Sequence, residues 1–355
     1  MEKTRFRCSF NSEKIILLIC AILLTTGCAT KVKLNMLQPA EYHQASLTKT
    51  VAVLPFSGTG GNEITSEVEG VLGGISIDGK NYFTLVDRNA IKAVIGEMEL
   101  GQSGMVDERT AVKLGKMVGA QGIYTGAVTR YNSSEGHYRE ERTECAERKI
   151  EYDKKGNPRE GECIRWRKYY VNCTRRDGNF AFTPKLIEVQ TGKIIYSRNI
   201  SFSAQSSGCE DGQPPKSESE LIGQAMEMAK NSFRKDIAPY YIVREIKLMD
   251  STNGIDSSQA KDKLKQGINF AGKQRLDAAC ELWGGAHTLA PNSVSIIYNL
   301  GVCAESRGDA AAALSLYKQA DKLLGKPNDD ITLALTRVTQ MIKNQEKLKT
   351  QLGGK

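Results

Sequence analysis

The stretch EGECIRWRKYYVNCTRR, residues 160–176, sets Cys163 and Cys173 ten residues apart among arginines, a tryptophan and two tyrosines. RTECAERK just upstream adds Cys145 in the same charged setting. Residues of these types can ligate zinc, bind nucleic acid or close disulfides. Zinc sites favour C-x-x-C pairs, whereas the spacings from Cys145 through Cys163 and Cys173 to Cys209 are 18, 10 and 36. The three histidines, His43, His137 and His287, have no Cys or His at metal-ligand spacing. Neither G-x-S-x-G nor H-E-x-x-H occurs. GTGG (Gly58–Gly61) falls between a predicted strand and a predicted helix, where a phosphate loop would sit. No third glycine completes a dinucleotide fingerprint and no Lys-Ser/Thr completes a P-loop. It reads as a turn, and a nucleotide-binding enzyme rests on this partial match alone. No catalytic residue, cofactor or metal is expected.

What the cysteines do depends on the compartment. Lys3, Arg5, Arg7 and Lys14 precede the apolar run Ile15–Leu24, then comes TTGC. Ten apolar residues are too few to span a bilayer but suit a signal-peptide core. The segment resembles a bacterial lipoprotein signal (residues 1–27) with Cys28 as lipid acceptor, although Thr25 stands where the motif prefers leucine. The other readings are an ordinary cleaved signal or an uncleaved anchor. For such lipoproteins Ala29, rather than Asp, implies the outer membrane, periplasmic side, held by a lipid anchor. Of nine cysteines, Cys8 and Cys20 leave with the signal and Cys28 is lipidated. Cys145, Cys163, Cys173, Cys209, Cys280 and Cys303 remain, an even number that reads as disulfides in an oxidising space. A nucleic-acid partner has no place there. The net charge of +8 is moderate, with acidic residues interleaved throughout, and reads first as a solvated surface.

The length after the signal suggests two domains. Residues 28–48 lack evident periodicity and read as a tether. In residues 49–245, TVAVLPF, YFTLVDR and GIYTGAVTRY read as strands, and SEVEGVLGGI, NAIKAVIGEMEL and DERTAVKLGKMVGA as helices. NFAFTPKLIEV and KIIYSRNISFS form a hairpin across QTG, and SESELIGQAMEMAKNSFRKDI is a closing helix. Strand–helix alternation followed by a hairpin predicts an α/β (α+β) fold with a mixed sheet.

In wording and order, VAVLPF, YFTLVDRNAIKAVIGE, AVKLGKMVGAQGIYTGAVTRY and LIEVQTGKIIYS resemble the CsgG-like family of curli-secretion lipoproteins. The domain is also similar to that of outer-membrane lipoproteins that activate penicillin-binding proteins. The resemblance implies a small domain used for protein–protein assembly, not catalysis.

After a linker, 246–258, residues 259–355 show a 34-residue repeat. Gly267 is matched by Gly301, Ala279 by Ala313, Trp283 by Tyr317 and Ala286 by Ala320. This resembles the tetratricopeptide repeat, an all-α helical array ending in a polar capping helix. Such repeats present a concave groove for a peptide or partner helix; the alternative is a helical spacer. In such a stack Cys280 and Cys303 lie on neighbouring helices, so a Cys280–Cys303 disulfide and two free buried cysteines are both open.

In the CsgG-like channels, the strand matching GIYTGAVTRY runs into a membrane hairpin. Here residues 137–176 carry twelve Lys/Arg and eight Asp/Glu. Against lipid each Lys or Arg at the midplane would cost about 2–4 kcal/mol. YDKKGN reads as a hairpin turn bringing Cys145 near Cys163, and Cys173 with Cys209 would tie the base, though four cysteines allow three connectivities. The expectation is an assembly or accessory subunit of an envelope machine (secretion, appendage or cell wall). Its partners would be periplasmic or outer-membrane proteins, with homo-oligomers allowed. A CsgG-type channel subunit is the alternative.

Overall fold

The computed structural model describes residues 30–97 and 108–353, which form two compact units. Cys28 and the signal lie outside the described residues. The first unit comprises Pro39–Tyr240 and Lys347–Lys355, and the second the chain up to Gln38 and Tyr241–Glu346.

The first unit is built on β2 (Thr50–Val53), flanked in parallel by β5 (Thr84–Leu85) and β6 (Gly122–Tyr152). β7 (Pro158–Glu188) runs antiparallel to β6 and carries β8 (Ile194–Ser197) and β9 (Ile200–Cys209) at different points on its other edge. Ser76–Ile77 (β3) and Lys80–Asn81 (β4) make a separate small hairpin. Both faces of the sheet are covered, which explains why its central strands are apolar throughout rather than alternating. Val51, Val53, Tyr124 and Leu186 point to one side, against α2 (Gly61–Gly74) and α5 (Glu218–Ile237) through Ile64, Val68, Ala225 and Phe233. Ala52, Leu54, Ile123 and Ile187 point to the other, against α3 (Arg88–Glu97) and α4 (Glu108–Met117) through Ile91, Ala111 and Leu114. α5 starts with a capping box, Ser217 accepting from the Glu220 amide and Glu220 reaching back to Ser217. A short helix, α1 (His43–Leu47), precedes β2.

Two expectations are corrected. Residues 31–38 are not tether but strand β1 (Lys31–Gln38), with Val32, Leu34 and Met36 buried between exposed neighbours. The period-2 alternation is in KVKLNMLQ itself. Its partner is β10 (Tyr240–Lys247), in a two-stranded sheet of the second unit. Residues 246–258 are not a free linker either, because Ile246, Leu248 and Ile255 are buried in that unit's core.

The second unit continues with α6 (Ser258–Gly272), α7 (Leu276–Leu289), α8 (Val294–Ser306), α9 (Ala310–Leu324) and α10 (Asp329–Gln351). Serines or aspartate cap three starts: Ser257, Ser293 and Asp309 each accept a backbone N–H of the first turn. Asn328 does the same for α10. α6 packs on α7 and α8 on α9 in the same way, one repeat apart. A Cβ on Gly267 would lie 2.2 Å from the Trp283 indole nitrogen, and one on Gly301 would lie 2.5 Å from the Tyr317 ring. Glycine is required there because the aromatic ring occupies the space a Cβ would need. Ala279, Ala286, Ala313 and Ala320 are all fully buried, letting the helices approach.

Candidate functional site

Two places on the molecule carry unusual chemistry. The first is the β6–β7 hairpin. Residues 137–176, by sequence a Cys-bearing insertion in the α/β domain, continue two 31-residue sheet strands out to a turn at 153–157, with register shifts between Cys145 and Ile150. At about 3.3 Å per residue each strand reaches about 100 Å. β9 accompanies β7 only as far as the Cys173↔Cys209 pair, and from Arg139 outward the ribbon has two strands. Apolar burial does little to order it, since most side chains there are exposed and Val171 near its base is the one buried apolar side chain of the two-stranded part. Cross-strand charge does part of that work. Lys168 bridges to Glu141 at 2.7 Å, Arg165 to Glu147 at 3.2 Å and Arg148 to Glu160 at 3.3 Å, with Arg167 on Glu144. The Lys168 hydrogen bond holds the Glu141 carboxyl below the usual carboxylate range. Exposed pairs contribute little singly, so covalent bonds do the rest. Cys145 is joined to Cys163 and Cys173 to Cys209. At the end, Asp153 Oδ1 accepts the amides of Lys155 and Asn157 at 2.8 and 2.9 Å, and Gly156 takes a positive φ of 83°, closing the turn.

Glu140, Cys173 and Cys209 place ligand-type atoms within 4.8 Å of one another. Both sulfurs are spent in a disulfide and are not thiolates, so the cluster is no metal site. The histidines lie apart: His137 contacts Thr174 and Glu135, His43 contacts Gln351, and His287 Nδ1 is buried with no hydrogen-bond partner among the described residues. The GTGG loop is a tight turn. Gly58 and Gly60 have φ of 89° and 80°, and a Cβ on Gly61 would lie 2.1 Å from the Phe56 carbonyl oxygen. Tyr131 lies against Gly60 and donates to Glu63, an acid in the first turn of α2. A carboxylate there disfavours a phosphate.

The second place is the face of the helical unit formed by α6 and α8, the first helix of each pair. The sequence predicts an open groove for a partner; the structure lays β1 and the strap 247–250 of the chain itself on these helices. Asn299, fully buried on α8, reads the strap's backbone with both ends of its amide. Its Oδ1 accepts the Met249 N–H at 3.0 Å and its Nδ2 donates to the Met249 carbonyl at 2.8 Å. The Tyr298 hydroxyl donates to the Lys247 carbonyl at 3.3 Å, and Lys247 Nζ pairs with Asp330 at 2.8 Å. Beside the strap a cavity of about 300 Å³ remains, lined by Met249, Val294, Ser295, Leu324 and Asn328. Behind this face, Tyr317 donates to buried Glu305 at 2.9 Å, which Arg337 neutralises, and Cys280 is bonded to Cys303. Sequence reasoning missed Asn299. One amide in an otherwise apolar stretch in mid-helix, IIYNLGVCA, was the available signal.

Residues 76–137 match the family model "Curli production assembly/transport component CsgG". No curated protein matches the chain. Among solved structures, the LpoB C-terminal domain from Salmonella enterica is 15% identical, covering 52% of this chain and 92% of that one, with a TM-score of 0.25. Lipoprotein GNA1162 from Neisseria meningitidis is 12% identical, covering 52% and 97%, at 0.28. The PelC dodecamer from Paraburkholderia phytofirmans is 14% identical, covering 55% and 95%, at 0.20.

Proposed function

We propose that this chain is a non-enzymatic outer-membrane lipoprotein, lipidated at Cys28. It would act as an assembly or accessory subunit of an envelope machine for secretion, appendage building or cell-wall growth. The observation that carries the reading is where the family match stops. The CsgG-type segment ends at His137, where the chain enters a charged, disulfide-stapled ribbon. The α/β unit would be the assembly module. The helix pairs, with their 34-residue offset and aromatic-over-glycine packing, resemble tetratricopeptide repeats. Because their inner face is taken by the strap, partners would meet the outer helices or the ribbon.

One observation favours a second reading, a CsgG-type channel subunit. β6 and β7 leave the sheet as a single long hairpin, the form a barrel strand pair would need. Against it stands the charge on both strands. No helix among the described residues is long and apolar enough to cross a membrane, which says nothing of a β-barrel. Electron microscopy of detergent-extracted particles separates the two. The accessory reading expects no membrane-sized ring, and capture of envelope proteins by the full chain; rings with a central pore would overturn it.

A further inference from the structure

We propose that the distal end of the β6–β7 ribbon docks on an anionic phospholipid surface without spanning it. Large apolar side chains stand out in water there: Ile150, Tyr152, Ile164, Trp166 and Tyr170 are each 59–72% exposed. Such a concentration on one element calls for a partner surface. Charge narrows the partner. Around the turn, Glu147, Glu151 and Glu160 are each engaged by a basic side chain. Asp153 turns its carboxylate inward onto the turn amides, which hold it charged. Lys154, Lys155 and Arg159 make no ion pair among the described residues. The end of the ribbon therefore presents three unpaired cations against one unpaired acid, Glu162, on the element that also exposes tryptophan, tyrosine and isoleucine.

That combination suits the headgroup region of an anionic bilayer, where Trp and Tyr settle and Lys and Arg meet phosphate. A second copy would bring the same cations against themselves. Deeper insertion is opposed by Arg165, Arg167 and Lys168, which follow within a few residues. The ribbon is narrow and two-stranded, with no helix or third strand among the described residues covering its distal part, so it can lie on a surface without unfolding. This inference is independent of which proteins the rest of the chain binds.

The chain has two tryptophans, and Trp283 is 0% exposed in the helical core. Quenching by bromine-labelled lipid therefore reports on Trp166. Neither tryptophan lies in the first 28 residues, so the signal is blind to how the N-terminus is held. The full chain is placed with vesicles of phosphatidylcholine alone, or of phosphatidylcholine mixed with phosphatidylglycerol, each containing brominated phosphatidylcholine. With the mixed vesicles Trp166 emission should shift to the blue and be quenched, and added salt should reverse both. Trp166→Phe should abolish the quenching. The triple substitution Lys154→Glu, Lys155→Glu and Arg159→Glu should weaken docking by about tenfold or more, with circular dichroism unchanged because these side chains face solvent. Equal quenching in both vesicle types, or none in either, would overturn the proposal. So would a blue shift without lipid that grows with protein concentration, which would identify a second copy as the occupant.

Discussion

Lys49 shows how a single charge is placed in the α/β unit. Its amine sits 3.3 Å from the Tyr82 ring centroid and donates to the Gln351 carbonyl at 2.9 Å. The ring and the carbonyl favour the charged amine, but burial opposes it and prevails, pushing the amine down to about 8. The unfolded chain keeps the ordinary value of about 10.4, so between these two values the unfolded state holds more protons. Stability attributable to Lys49 should therefore rise as pH climbs through about 8 and level off near about 10.4. Lys49→Met should flatten that rise, as read from urea midpoints across this pH range against the parent. A midpoint that climbs just as steeply in the variant would assign the slope to other groups. Asn299 makes a different point at this scale. A buried amide that satisfies both backbone polar groups of one residue does for a strap what a cap does for a helix end.

Among the elements, the ribbon depends most on covalent help, since an isolated two-stranded hairpin is at best marginal in water. Replacing Cys145 and Cys163 by serine should raise protease cleavage within residues 137–176 several-fold while the α/β core keeps its amide protection. Reducing agent should do the same to the parent; cleavage unchanged by either treatment would mean that charge pairing alone holds the strands. Much of this unit was legible in sequence. Strands such as TVAVLPF bury both faces and are apolar throughout, and the YDKKGN turn carries its own Asp and Gly. The continuity of β6 and β7 was not legible, because pattern reading looks for apolar alternation. A strand held by Lys–Glu pairs across a hairpin shows none. The repeat was visible because Gly267 and Gly301 face aromatics at one offset. The filled inner face was hidden, since β1 lies far away in the chain and the strap 247–250 reads as a linker. β1 alternates plainly, yet one short strand without a neighbouring partner gave no sheet to join.

For the molecule as a whole, chain order and spatial order disagree. Val32, Leu34 and Met36 pack in the same core as Trp283, Tyr298 and Tyr317. Leu34→Ala should therefore destabilise the helical unit by about 2–5 kcal/mol. Hydrogen exchange should show lost protection over Tyr241–Glu346, with β2 and α5 unaffected. Loss confined to the α/β unit would contradict the partition. The same strand has a consequence for biogenesis. β1 lies among the first described residues, but β10, its pairing partner, begins only at Tyr240. In the interval before β10 emerges, β1 has an apolar edge uncovered and nothing to zip against. The α/β unit between them can complete most of its sheet in that interval, so the strand made first is among the last to find its place.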